Sequence, residues 1–181
     1  MRRILPLALA LALVALAGPA LAEPPDPNHV LIQTVGRRLV TYNHFGDPNR
    51  GHVTASAQGE LVDTNNNGLA NAIRGRGALL EGNGVDRFRM YSINLQRLRA
   101  ADWVGVARDV NDAVSSGQPA YLVNYTPSSG YCVGNREIVT YRVVHVDAIR
   151  WIDGTVGNRT TVSNTFTARM VASDPDCPDL P

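Results

Sequence analysis

The sequence predicts an all-β chain, a single-domain antiparallel β-sandwich or barrel-like sandwich. Three observations predict it. Short runs rich in Val, Ile, Thr and Tyr alternate with polar residues, and Gly, Asn, Asp and Pro clusters interrupt them roughly every ten residues. Residues 137–152 and 155–171 form two long strand patterns separated by Asp153-Gly154, a strong hairpin signal. Between residues 29 and 172 there is no internal repeat, no second domain and no apolar run long enough to span a bilayer.

Taken in order, residues 1–22 read as a secretory signal peptide. Arg2-Arg3 precedes an apolar run from Ile4 to Ala17, and Ala20-Leu21-Ala22 supplies small residues at a cleavage site. Residues 23–28 hold three prolines and form an extended leader. The domain follows over residues 29–172. Residues 29–34 and 37–45 predict two strands split at Gly36, and residues 46–51 a dense turn cluster. Residues 52–62 alternate as a strand. A polar loop then leads into a strand at 69–80 and another at 85–95, so that 52–95 predicts a three-stranded meander.

Residues 96–114 are ambiguous. Leu95, Leu98, Trp103, Val106, Val110 and Val114 partly fit a helical period, which allows one short helix, with strand as the competitor. Residues 120–125 predict a strand and 126–130 a turn. Across the Asp153-Gly154 hairpin, a two-residue turn places Tyr141 opposite Phe166, Val139 opposite Ala168 and His145 opposite Val162. His145 then points inward, toward Asn164 or a backbone carbonyl.

The composition bounds the function. All 17 basic residues are Arg, which a GC-rich bacterial genome explains. Removing residues 1–22 leaves 15 basic against 16 acidic side chains, with no basic tract, which argues against nucleic-acid binding. Cys132 and Cys177 would enter an oxidising compartment, where a pair reads as one disulfide. It would tether the Pro- and Asp-rich tail, residues 173–181. Closing a loop of about 46 residues stabilises by about 4 kcal/mol in the chain-entropy view.

One stretch carries a recognisable motif. Asp63, Asn65, Asn67, the Leu69 carbonyl and Asn71 stand at positions 1, 3, 5, 7 and 9 of a loop with Gly68 at its sharp turn. Alternate oxygen donors on a tight loop suit calcium, a hard cation that takes six to eight oxygens. The stretch resembles the calcium loops of the FG-GAP, dockerin and thrombospondin type 3 kinds. Arg74 stands where an EF-hand carries its bidentate Glu, so the full EF-hand is disfavoured. A single carboxylate implies weak binding, toward the millimolar range of extracellular modules. A plain hairpin through Asn67-Gly68 is the competing reading.

The remaining candidates are side chains in loops. His44, Asp47 and His52 flank one turn and could serve a hydrolase, although no hydrolase or zinc-protease motif is present. Tyr125 and Tyr131 bracket a turn and could bind a ligand such as a sugar. Together these readings predict a secreted or periplasmic module, non-catalytic, either binding an unidentified extracellular ligand or protein or associated with the envelope, and weakly stabilised by calcium. The rivals are a hydrolase using His44, Asp47 and His52, and a protease inhibitor presenting residues 126–131.

Overall fold

The computed structural model describes residues 30–64, 66, 68, 70–110, 112–115, 121–130 and 139–168. The expected signal peptide, leader and tail, with Cys132, Cys177, Tyr131, Asn65, Asn67 and Leu69, lie outside the described residues. The strands are β1 (Val30–His44), β2 (Asp47–Asp63), β3 (Ala72–Asn83), β4 (Val85–Arg99), β5 (Asp102–Asp109), β6 (Ala113–Val114), β7 (Tyr121–Tyr125), β8 (Ser129–Gly130), β9 (Val139–Trp151), β10 (Val156–Val162) and β11 (Phe166–Ala168).

They form two antiparallel sheets. The first runs β1-β2-β3-β7, with β8 also on β3; the second runs β10-β9-β4-β5, with β11 on β9 and β6 on β4. The two sheets pack as a sandwich, and no closed barrel forms among the described residues. The predicted all-β class and antiparallel sandwich are therefore correct.

The core has an unequal division of bulk. Sheet two contributes Phe88, Met90, Ile93, Leu95, Tyr141, Val143, Ile149 and Trp151, while sheet one answers with fewer large residues, Val53, Ile73, Leu79 and Leu122, beside Ala55, Ala57 and glycines. Phe166 lies in a notch between Gly36 and Gly59: a Cβ at Gly59 would meet its ring at 2.2 Å, and one at Gly36 at 2.3 Å. Gly75 accepts Val143, and Gly77 accepts the His145 ring. Close packing of this kind needs facing positions that interdigitate, and here the missing side chains are the holes.

Several sequence expectations are corrected. The described residues of the segment at 96–114 hold no helix; they are the end of β4, a turn at residues 100–101, β5 and β6. A bulge explains the false period. The register slips between Leu95 and Gln96, so Ala107 and Gly105 face consecutive residues and Val106 is extra. That shifts the apolar spacing away from two.

The expected meander is a β2–β3 hairpin only. The chain turns at Gly84 (φ +70°), and β4 joins the second sheet, because β7 takes the free edge of β3. The two predicted strands around Gly36 are one bulged strand, β1.

The Asp153-Gly154 hairpin exists, but its loop is one residue longer than expected. Trp151 N–H donates to Thr155 O, Gly154 N–H donates to Trp151 O, and Gly154 sits at φ +85°. This is a three-residue connection with glycine in the left-handed position. His145 therefore pairs with Thr161, not Val162, and Thr161 faces the interior. An extra residue between Ser163 and Phe166 restores the expected register, so Tyr141 opposite Phe166 and Val139 opposite Ala168 are correct.

Candidate functional site

At one end of the sandwich, the β1–β2 turn of the first sheet meets the β9–β10 turn of the second. Both turns are built on residues that accept positive φ: Phe45 (φ +48°) and Gly46 (φ +76°) in one, Gly154 in the other. Two positive-φ residues in sequence match the right-handed twist of a hairpin, which is why Asn-Gly is favoured there. A phenylalanine in that place is unusual and costs roughly 1–2 kcal/mol of backbone strain.

The turns are tied by His44. Its Nε2–H donates to Asp153 Oδ2 at 2.8 Å. Asp153 Oδ1 accepts the Thr155 N–H at 3.0 Å and the Thr155 hydroxyl at 2.7 Å. The Thr155 hydroxyl, then the His44 hydrogen bond, hold the Asp153 carboxyl well below the usual carboxylate range. An ionised Asp153 can only accept, so the proton of the pair sits on His44 Nε2. The other ring nitrogen, Nδ1, has no hydrogen-bond partner among the described residues.

The His44 ring stacks on one ring and meets a second at a tilt. Trp151 lies 4.6 Å away on centroids at 26°, and Phe45 4.3 Å away at 33°. Trp151 is itself buried and packs onto Gly51, where a Cβ would meet the indole at 2.9 Å. The Arg50 guanidinium lies 5.9 Å from the Phe45 centroid, and its Nε is 3.9 Å from Asp47. His44, Arg50, Gly84, Trp151, Ile152 and Asp153 line an open cleft of about 410 Å³. His44 is 5% exposed, but beside it Phe45 is 70% and Ile152 74% exposed.

The structure distributes the residues singled out from sequence as follows. His44 is central to the cleft. Asp47 caps the Asn49 N–H at 2.9 Å and faces Arg50 rather than His44. His52 lies against Gly82 on the opposite face of the first sheet from His44. The three do not converge. Asp153, Trp151 and Arg50 line the cleft with His44 instead, and Phe45 lies beside the His44 ring. Sequence reasoning saw Asp153 only as a turn residue. The available signal was Phe45 in front of Gly46, an exposed aromatic in a turn that favours Asn.

Asp63 is buried and accepts the Gly68 N–H on Oδ2 at 2.6 Å. Asn71 Oδ1 accepts the Thr64 N–H at 2.9 Å and the Thr64 hydroxyl at 3.1 Å, while Asn71 N–H donates to Val62 O at 3.1 Å. These bonds close the β2–β3 loop. Arg74 donates from Nε to Glu60 Oε2 at 2.9 Å, and its guanidinium covers the Tyr125 ring at 4.1 Å. Tyr125 thus belongs to a polar cluster on the outer face of the first sheet. Thr126, the start of the expected inhibitory loop, is buried and tied to Gly75 by both its N–H and its hydroxyl.

A second His–Asp pair, missed in the sequence, lies between the sheets. His145 Nδ1 is 2.8 Å from Asp147 Oδ1, and Nε2 is 3.0 Å from Ser56 O. Neither side chain touches solvent. Burial raises the Asp147 carboxyl above its ordinary value, partly offset by the His145 hydrogen bond. The backbone carbonyl expected for His145 is Ser56 O. The His-x-Asp spacing, which puts both side chains on one face of a strand, was the available signal.

Comparisons with protein-family models, curated proteins and solved structures find no match to this chain.

Proposed function

We propose that this chain is a secreted or periplasmic binding module whose contact surface is the cleft around Phe45, His44, Arg50, Ile152 and Asp153. The observation that carries this reading is Phe45. A strained backbone presents a mostly exposed aromatic ring at the rim of a cleft, where Asn or Gly would be more stable. Strain and exposure together are a cost that folding alone does not recover, and such costs concentrate at functional positions. The apparent signal sequence supports the extracellular location.

The test is a fragment screen by NMR on residues 23–181. Hits are expected to shift Phe45, Trp151 and Ile152 signals. Hits confined to other surfaces would sink the assignment.

A hydrolase using His44 is the second reading, favoured by one observation. Asp153 holds Nε2 while Nδ1 lacks a partner among the described residues, the arrangement of an oriented base. Turnover of p-nitrophenyl acetate above background, abolished in His44→Ala, would put it first. The Asp63–Asn71 loop remains a proposed weak calcium site, supported by its alternate oxygen donors around Gly68.

A further inference from the structure

We propose that the outer face of the second sheet holds an oxyanion site over Gly105, where the guanidinium groups of Arg142 and Arg108 grip a carboxylate, sulfate or phosphate group. The site lies at the far end of β9 from the cleft and does not depend on the cleft reading. The ladder register builds it. Leu98 pairs with Trp103, Gln96 with both Gly105 and Arg142, and Asn94 with Arg108. Ile93 and Leu95 point into the core, so Asn94, Gln96 and Leu98 face outward with their ladder partners. Along β5 the outward positions are therefore Trp103, Gly105 and Arg108, with the bulge residue Val106 between the last two.

Arg142 reaches this strand from β9. Its Nε–H donates to Gln96 Oε1 at 2.8 Å, and its guanidinium lies 4.2 Å from the Trp103 ring centroid. That sets a planar fork beside Gly105, with both Nη groups unbonded among the described residues. Arg108 is exposed on the other side of the same glycine. Gly105 leaves the sheet bare between them, apart from the Asn94 amide, which a Cβ there would meet at 3.1 Å.

Charge selects the occupant. The outward ladder positions of β4, β5 and β9 carry Arg87, Arg89, Arg108, Arg142 and Arg150, and no Asp or Glu. Asp112 answers Arg89 and Asp86 answers Arg150, both from outside the ladder pairs. Arg108 and Arg142 have no carboxylate partner among the described residues. Burial holds the Arg142 pKa below the ordinary arginine value, with no neighbouring anion to oppose it. A half-buried guanidinium with a fixed plane and no counter-charge lacks what a bidentate oxyanion supplies. A neutral ligand would leave both charges unanswered, and a cation would be repelled.

Arg108→Gln removes one grip without touching the Trp103 stack, and Arg142→Lys keeps the charge but loses the planar fork. Titrate the chain, residues 23–181, with sodium sulfate, phosphate and acetate, and with hexagalacturonate, against sodium chloride at matched ionic strength, following the Trp103 indole and Arg142 Nε–H signals by NMR. At least one oxyanion is expected to shift both signals saturably, and to bind about tenfold more weakly to each variant. Hexagalacturonate binding well above acetate, sulfate and phosphate would identify the source as an acidic chain; sulfate or phosphate binding as tightly as the hexamer would identify a free ion. Shifts that chloride reproduces, or binding unchanged in either variant, overturn the assignment. A site silent to every probe overturns it as well and leaves the cleft reading standing.

Discussion

Asp153 and Asp147 are two carboxylates shifted in opposite directions, and their effects on stability have opposite signs. Asp153 is held below the ordinary range by Thr155 and His44. Its contribution is present above the unfolded value of about 3.9 and is lost as pH falls below it. Asp153→Asn is expected to lower the melting temperature at pH 6, with the two curves converging toward pH 2; parallel curves would refute the linkage. Asp147 is raised by burial, so its share is present at low pH and fades as pH rises through the raised value. Its bond to His145 matters more. Asp147→Ala leaves a buried imidazole without its partner, at an expected cost of about 3–5 kcal/mol in urea unfolding. The sequence made His145 an inward residue with a carbonyl partner, because alternation alone sets the face. It did not show Asp147 as the other partner, because the pair was never read as one unit two residues apart. The cleft was half legible. His44 stood out by type, but Asp153 reaches it from 109 residues away. No local pattern encodes that meeting.

Between strands, the governing feature is the replacement of side chains by glycine on the first sheet. Gly59→Ala is expected to cost about 1–3 kcal/mol, because the new methyl would overlap the Phe166 ring. In a Phe166→Leu background the same change should cost less, and an unchanged cost would show that the notch is not what Gly59 serves. The strands themselves were legible wherever alternation ran unbroken, as in β2, β3 and β9. Errors fell at single inserted residues. The bulge at Val106 imitated a helical period, and the third loop residue after Trp151 shifted the register of β10 by one. One extra residue reverses which face a strand buries. Neither insertion changes composition enough to be seen in a short window. The assignment of β4 to the second sheet was also hidden, since a turn such as Asn83-Gly84 has the same residues whether the chain returns to its neighbour or crosses over.

Across the whole molecule, the two additions proposed from sequence can be measured directly. Thiol titration of the denatured chain should find no free cysteine, and reduction should lower the melting temperature by about 10 °C if Cys132 and Cys177 are bridged. Millimolar calcium should raise the melting temperature relative to chelator if the Asp63–Asn71 loop holds the ion; an unchanged midpoint would remove calcium from the account. The fold class was legible because an all-β architecture follows from many independent short signals, and no single error among them alters it. The site was less legible because it is made where two turns from different sheets meet. The uneven core has a mechanical consequence. A smooth sheet of alanine and glycine would let its partner slide, but the Phe166 ring sits between Gly36 and Gly59 as a key sits in a slot. Displacement along the strands would drive the ring into the neighbouring methyl of Ala57. Pulling that shears one sheet over the other should therefore meet a sharp yield point, while pulling that peels strands from an edge should meet a series of small ones.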